Sequence, residues 1–217
     1  YVSSNLSCRK HCFIRKKVML DKYFWEKRYQ NKETGWNIGV ISTPLKNYFD
    51  SIKNKDCSIL IPGCGYGHEA KYLFDNGFRN VSILDISKSA IEVFKKNVPN
   101  FPKEQLIVSN FFEHNHMYDL IIEQTFFCAI DTDLRQNYVN HSHKILNENG
   151  KIAGLLFNKY FENDNPPFGG SKKEYKKLFE KKFKINCLDI AKDSIEPRKG
   201  LELFFEFQKI EKRILAK

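Results

Sequence analysis

The sequence predicts a doubly wound α/β sheet of seven strands, mostly parallel, with one antiparallel strand. Two observations carry that prediction. Short apolar runs alternate with amphipathic segments along most of the chain, the pattern of strands covered by helices on both faces. The last two apolar runs are joined by too few residues for a helical crossover, so one of them runs against its neighbours.

The elements follow in order. Asp21–Tyr29 spaces Tyr23, Phe24, Lys27 and Arg28 as an amphipathic helix does. A second helix opens at Thr43-Pro44, where proline's missing N–H costs nothing because the first turn leaves that group unpaired. Cys57–Ile61 is a buried strand ended by Pro62 and Gly63. Gly67–Asn76 is helical and stops before Gly77, and Val81–Leu84 is the second strand. Ser87 caps a helix over Ser87–Asn97. Leu106–Val108 and Leu120–Ile122 are short strands, Thr132–Leu146 is a helix ended by Gly150, and Ile152–Phe157 is the fifth strand. Beyond a Pro/Gly-rich loop, Ser171–Phe179 is a helix with Tyr175, Leu178 and Phe179 facing inward. Strands over Lys184–Ile190 and Leu201–Phe207 close the sheet.

The composition bounds the function. A chain of 217 residues with 41% hydrophobic and 14% aromatic residues has room for one domain with a real core. No apolar run approaches the roughly 18–20 residues that cross a bilayer, and the start is a poor secretory signal, so a cytoplasmic monomer is expected. The formal charge is +10, but Arg9, Lys10, Arg15, Lys16 and Lys17 lie in an acid-free stretch over 1–18, leaving 31 basic residues against 26 acidic ones. So mild and scattered an excess argues weakly for nucleic acid. Residues 1–18 lack apolar periodicity and read as an extension ahead of one domain over 19–217. Cys8, His11 and Cys12 have no partner pair at zinc-finger spacing, so no metal site is expected. The pairs His114/His116 and His141/His143 lack metal-face spacing and read as surface residues.

Chemistry concentrates at the end of the first strand. Cys57–Ile61 runs into Pro62-Gly63-Cys64-Gly65-Tyr66-Gly67 and then a helix, a loop that lets backbone approach a ligand at the sheet's crevice. Asp85, with Ile86 beside it, ends the second strand, where a carboxylate accepts ribose hydroxyls. A dinucleotide fingerprint needs glycine where His68 stands, and Glu69 would repel a diphosphate. S-adenosylmethionine carries no phosphate, and its amino group suits a nearby acid. The loop therefore favours that ligand over NAD.

Phe24-Trp25-Glu26-Lys27-Arg28-Tyr29 and Gly35-Trp36-Asn37-Ile38-Gly39 with Pro44 resemble the thiopurine methyltransferase family, including its thiol and halide/thiocyanate branch. The resemblance continues through Ile61–Gly67, Thr125–Ile130, Pro166-Pro167-Phe168 and Glu196–Gly200. It implies a Rossmann-like methyltransferase fold whose N-terminal helical segment, 19–53, lids the cofactor. It implies cofactor contacts from Trp25, Tyr29, Trp36, Gly63, Gly65, Gly67, Asp85, Ile86, Asn110, Phe111 and Gln124. Phe126, Phe127 and Phe168 would line the substrate mouth, and Arg135 would face the substrate. Glu123-Gln124 replaces an aspartate–tyrosine pair of the halide branch, which weighs against halide as acceptor.

Several of these residues have plainer readings. Either tryptophan could simply pack in the core, Arg135 could form a surface ion pair with Asp131 or Asp133, and Arg198 and Lys199 could sit in a solvated turn. Asn165-Pro166-Pro167-Phe168 matches a motif of base-modifying amino-group methyltransferases but follows the fifth strand instead of the fourth, so it reads as a rigid wall. The expected activity is transfer of a methyl from S-adenosylmethionine to a small soft nucleophile, most directly sulfur. RNA or protein methylation, and cofactor binding without turnover, are the alternatives.

Overall fold

Four consecutive apolar residues, Ile59–Pro62, form the central strand β1, and all four are buried. A computed structural model describes residues 18–211; residues 1–17, which include the Cys8–His11–Cys12 cluster, and residues 212–217 lie outside the described part. The other strands are β2 (Val81–Asp85), β3 (Leu106–Val108), β4 (Tyr118–Gln124), β5 (Leu146–Phe157), β6 (Phe183–Ile190) and β7 (Glu202–Lys209). They form one sheet in the order β3-β2-β1-β4-β5-β7-β6. β7 pairs antiparallel with both β5 and β6, while the pairs from β3 to β5 are parallel, so β7 is the single reversed strand.

Alternation along the buried strands divides the core into two layers. Ile59, Ile61, Ile83, Leu120 and Ile122 face one cluster, with Leu45 and Phe49 of α2 (Thr43–Ser51), Ala70 and Leu73 of α3 (His68–Asp75), and Ile91 and Phe94 of α4 (Lys88–Asn97). Leu60, Leu84, Ile121, Phe205 and Phe207 face the other, with Tyr138 and Val139 of α5 (Arg135–Lys144) and Tyr175 and Phe179 of α6 (Lys172–Phe179). Ser87 caps α4 by accepting from Ala90 N, and Ser171 with Glu174 forms a capping box on α6.

The fifth strand differs from expectation. It begins at Leu146, and α5 ends at Lys144 after a separate short turn over Thr132–Leu134. Asn147-Glu148-Asn149-Gly150 continues no helix. Tyr118 pairs with Leu146 but Leu120 pairs with Lys151, so these residues bulge out of the ladder, with Asn149 at φ +59°.

The first helix, α1 (Lys22–Gln30), buries none of its residues fully. Asp21 caps it by accepting from Phe24 N at 3.0 Å. Glu26 ties it to the start of α4, accepting from Ser87 Oγ (2.7 Å), Ser89 N (3.2 Å) and Ser89 Oγ (2.5 Å). No described helix is long and apolar enough to cross a membrane.

Candidate active site

A cavity of about 800 Å³ opens over the carboxyl ends of β1, β2 and β4, where doubly wound sheets bind ligands. Its floor is the glycine loop. Gly63 and Gly65 take φ +57° and +55°, in the left-handed region, and a Cβ on Gly63 would stand 2.4 Å from the Phe126 ring. A Cβ on Gly65 would stand 3.0 Å from Tyr29 Oη. Only glycine lets aromatic rings close on the loop from both sides.

α1 and the segment after it form the roof. Trp25 meets Trp36 edge to face at 5.6 Å, and Tyr29 meets Trp36 at 5.8 Å. Trp25, Tyr29 and Trp36 all line the cavity, so the two tryptophans are not core residues. Three polar contacts latch the roof down. Thr34 Oγ1 and Tyr66 Oη are 3.1 Å apart, Asn37 Oδ1 and His68 Nε2 are 2.8 Å apart, and Arg198 Nη2 donates to Trp36 O at 3.2 Å. Val18 and Met19 also line the cavity, so the expected boundary after residue 18 falls within its wall.

Asp85 sits at the cavity edge, only 6% exposed, and accepts from Gly65 N (3.1 Å) and Ser87 N (2.9 Å). Burial lifts its carboxyl to about 6. Each carboxylate oxygen keeps a second lone pair for ribose. Ile86 lies beside it, and Asn110 and Phe111 close that side. Asn110 Oδ1 already accepts from Phe112 N at 3.1 Å and has one lone pair left. Gln124 faces the cavity with Oε1 buried and without a hydrogen-bond partner. An orphaned buried acceptor calls for a donor, and the amino group of S-adenosylmethionine is one. Glu69, 6% exposed, lies nearby in the first turn of α3. The residues present fit that cofactor.

The side expected to take the acceptor is lined by Phe126, Ala129, Ile130, Leu134, Pro166 and Pro167, with Asp131 and Arg198 among them. Three residues expected there lie elsewhere. Phe127 turns into the core at 1% exposure, because successive side chains diverge in the turn after β4. Phe168 does not line the cavity; its N donates to Cys128 O at 2.7 Å, pinning the proline loop. Arg135 also stays outside. Its Nη2 donates to Phe168 O (3.1 Å) and Gly169 O (2.9 Å), and its guanidinium lies 4.8 Å over the Phe127 ring. It braces the wall and does not face the cavity.

Arg198, expected in a solvated turn, lines the cavity and is paired with the buried Glu202 at 3.3 Å. Glu202 also accepts from Ser194 Oγ at 2.7 Å. The pairing was hidden in sequence, since which face of β7 holds Glu202 depends on its register. His114, expected at the surface, is 7% exposed and 2.8 Å from Tyr118 Oη. Among the described residues no group of three or more potential ligands is placed to hold a metal.

The profile of the family described as Thiopurine S-methyltransferase matches residues 20–212. The chain belongs to the thiopurine S-methyltransferase family. It is an S-adenosylmethionine-dependent methyltransferase. "Probable thiol methyltransferase 2" of Arabidopsis thaliana is 29% identical over 191 residues, covering 85% of this chain and 84% of that protein. "Thiocyanate methyltransferase 1" of Brassica oleracea is 28% identical, covering 86% and 84%. Among solved structures, a Burkholderia thailandensis 1,6-didemethyltoxoflavin-N1-methyltransferase with bound S-adenosylhomocysteine superposes with a TM-score of 0.69 at 14% identity, covering 88% of this chain and 87% of that one. At that identity the likeness shows the fold, and the fold is that of a Rossmann-like methyltransferase.

Proposed function

We propose that this member of the thiopurine S-methyltransferase family methylates a small, neutral thiol at sulfur, acting as a cytoplasmic monomer. One observation carries the reading: the ribose acceptor Asp85 and the apolar wall of Phe126, Ile130 and Pro166 share one roofed cavity. The relatives named for thiol and thiocyanate methylation support sulfur as the receiving atom.

When bound, S-adenosylmethionine supplies an electrophilic methyl group on a sulfonium. The chain's own residues hold, orient and dry the reactants. Asp85 would accept from the ribose, Gln124 Oε1 and Glu69 would receive the amino group, and Asn110 and Phe111 would flank the adenine. Trp25 and Trp36, which line the cavity, would offer aromatic surface that favours a sulfonium cation and excludes water. The acceptor thiol gives up its proton to water and reacts as the thiolate, already a strong nucleophile, so orientation in line with the methyl suffices and no nucleophile–base pair is needed. Arg198 is neutralised by Glu202, so no unmatched cation there favours an acceptor with a carboxylate.

The test is transfer of labelled methyl from S-adenosylmethionine to an aromatic thiol, hydrogen sulfide, iodide, thiocyanate and tRNA in parallel. The aromatic thiol should turn over fastest, and iodide outpacing every thiol would overturn the choice of acceptor.

A further inference from the structure

Glu123 is the penultimate residue of β4, next to the cavity residue Gln124, yet it points the other way and is fully buried. Its Oε1 accepts from Phe126 N and Phe127 N, each at 2.8 Å. Its Oε2 accepts from Tyr138 Oη at 2.8 Å. The intervening Thr125 has φ +59°, a strained value for a branched side chain, and the carboxylate closes the turn around it. Phe126 is thereby set on Gly63 as the acceptor-side wall. Phe127 goes into the core, 5.1 Å from Tyr138. Tyr138 in turn stacks on Phe111 at 5.4 Å, and Phe111 meets Phe126 edge-on at 5.3 Å. Glu123, Phe126, Phe111 and Tyr138 thus form a closed, packed ring that joins the adenine side of the cavity to its acceptor side.

We propose that Glu123 is a positioning residue that sets the acceptor wall against the cofactor floor. The inference rests on the small-thiol reading for its kinetic half only. A carboxylate is suited to the task because its hydrogen bonds are charge-assisted, roughly twice as strong as those of a neutral amide. A buried carboxylate is tolerated only where donors converge on it, as three do here.

Burial also pushes Glu123 up to about 7. The other ionisable groups around it do not titrate in that range. Tyr138 and Tyr175 are pushed further up by burial, Cys128 is pushed up to about 12, and the Arg135 guanidinium lies over the Phe127 ring. His141, beside Phe111, is pushed below 6.5 by burial. As pH falls through neutrality Glu123 takes a proton, loses an acceptor position and loosens its grip on the turn.

Glu123→Gln preserves volume and removes the charge. Above neutrality it is expected to raise KM for the acceptor thiol about tenfold, with the affinity for S-adenosylhomocysteine within about twofold of wild type. Its melting temperature should be no lower, since a buried charge has gone. At saturating S-adenosylmethionine, and after correction for ionisation of the thiol itself, the wild-type rise in acceptor KM on the acid side of neutrality should vanish in the variant. Amide exchange at Phe126 and Phe127 should quicken in the variant while the β1 and β4 core stays protected; this readout needs no acceptor. Tyr138→Phe should give a smaller effect of the same kind.

A wild-type enzyme that methylates no thiol defeats the acceptor assignment, and the exchange measurement then decides the role of Glu123. Unchanged protection at Phe126 and Phe127 overturns the proposal. So does an unchanged acceptor KM in an enzyme that does methylate thiols. Parallel losses of melting temperature, cofactor affinity and acceptor KM overturn it too, because they mark a merely structural residue.

Discussion

Asp85 joins two demands that pull its ionisation in opposite directions. Burial favours the protonated carboxyl, whereas the role proposed for it, accepting from two ribose hydroxyls, favours the ionised form. Asp85→Ala is expected to cost about 2–4 kcal/mol of affinity for S-adenosylhomocysteine. Calorimetric titration checks this, and an affinity within about twofold of wild type removes Asp85 from the site. The pH dependence has a definite sign. The folded value of about 6 lies above the ordinary 3.8, so the group's contribution to apo stability is present below 3.8 and is lost as pH rises through about 6. For so buried a group that loss is on the order of 3 kcal/mol. Cofactor binding runs the other way, so stabilisation by S-adenosylhomocysteine in thermal melts should grow from about pH 5 to about pH 7. At the loop, Gly63→Ala meets both a left-handed φ and the Phe126 ring, and should lower stability by about 1–3 kcal/mol. Gly63, Gly65 and Asp85, at fixed offsets from strand ends, line the cavity where their sequence positions put them, and Gln124, which the family resemblance singled out, lines it too. Phe127, Phe168 and Arg135 were not legible in this way. Their directions depend on the Thr125 turn and on backbone acceptors supplied by a loop distant in sequence.

Among the elements, caps and strand identities were readable because each rests on a local pattern. Ser87 caps the helix assigned to it and Ser171, read as the first residue of its helix, caps α6, whereas α2 takes Ser42 as its N-cap, one residue before the Thr43-Pro44 expected to open it. The start of β5 was not readable, because a polar bulge hides its first pairing. α1 is held by polar contacts more than by burial, which suits a roof that must let a cofactor in. Glu26→Ala removes all three bonds to Ser87 and Ser89, and should raise KM for S-adenosylmethionine several-fold with little change in melting temperature. The serine hydrogen bonds hold the Glu26 carboxyl down at about 2, against the opposing effect of desolvation. Its contribution is therefore present above 4.5 and is lost only as pH falls through about 2, so the latch is constant across any neutral assay. Arg135→Met frees the proline loop from Phe168 O and Gly169 O. It should raise the acceptor KM and leave the pH profile of thiol ionisation in place, because the guanidinium does not reach the cavity. A shift in that profile would put Arg135 against the substrate.

For the whole molecule, the mostly parallel sheet and its one reversed strand follow from alternation and from one short connection between the last strands, whereas the insertion of β7 between β5 and β6 is set by long-range pairing that no local pattern announces. The overall charge of +10 adds little to the functional reading, since Arg198 at the cavity is matched by Glu202 and Glu123 is turned inward. The central claim is that one cavity binds S-adenosylmethionine and presents its methyl to a small thiol. The most direct measurement is single-turnover transfer of labelled methyl, comparing an aromatic thiol with tRNA under identical conditions. Labelled thioether with unlabelled tRNA is the predicted result. Labelled tRNA with unreacted thiol would contradict it.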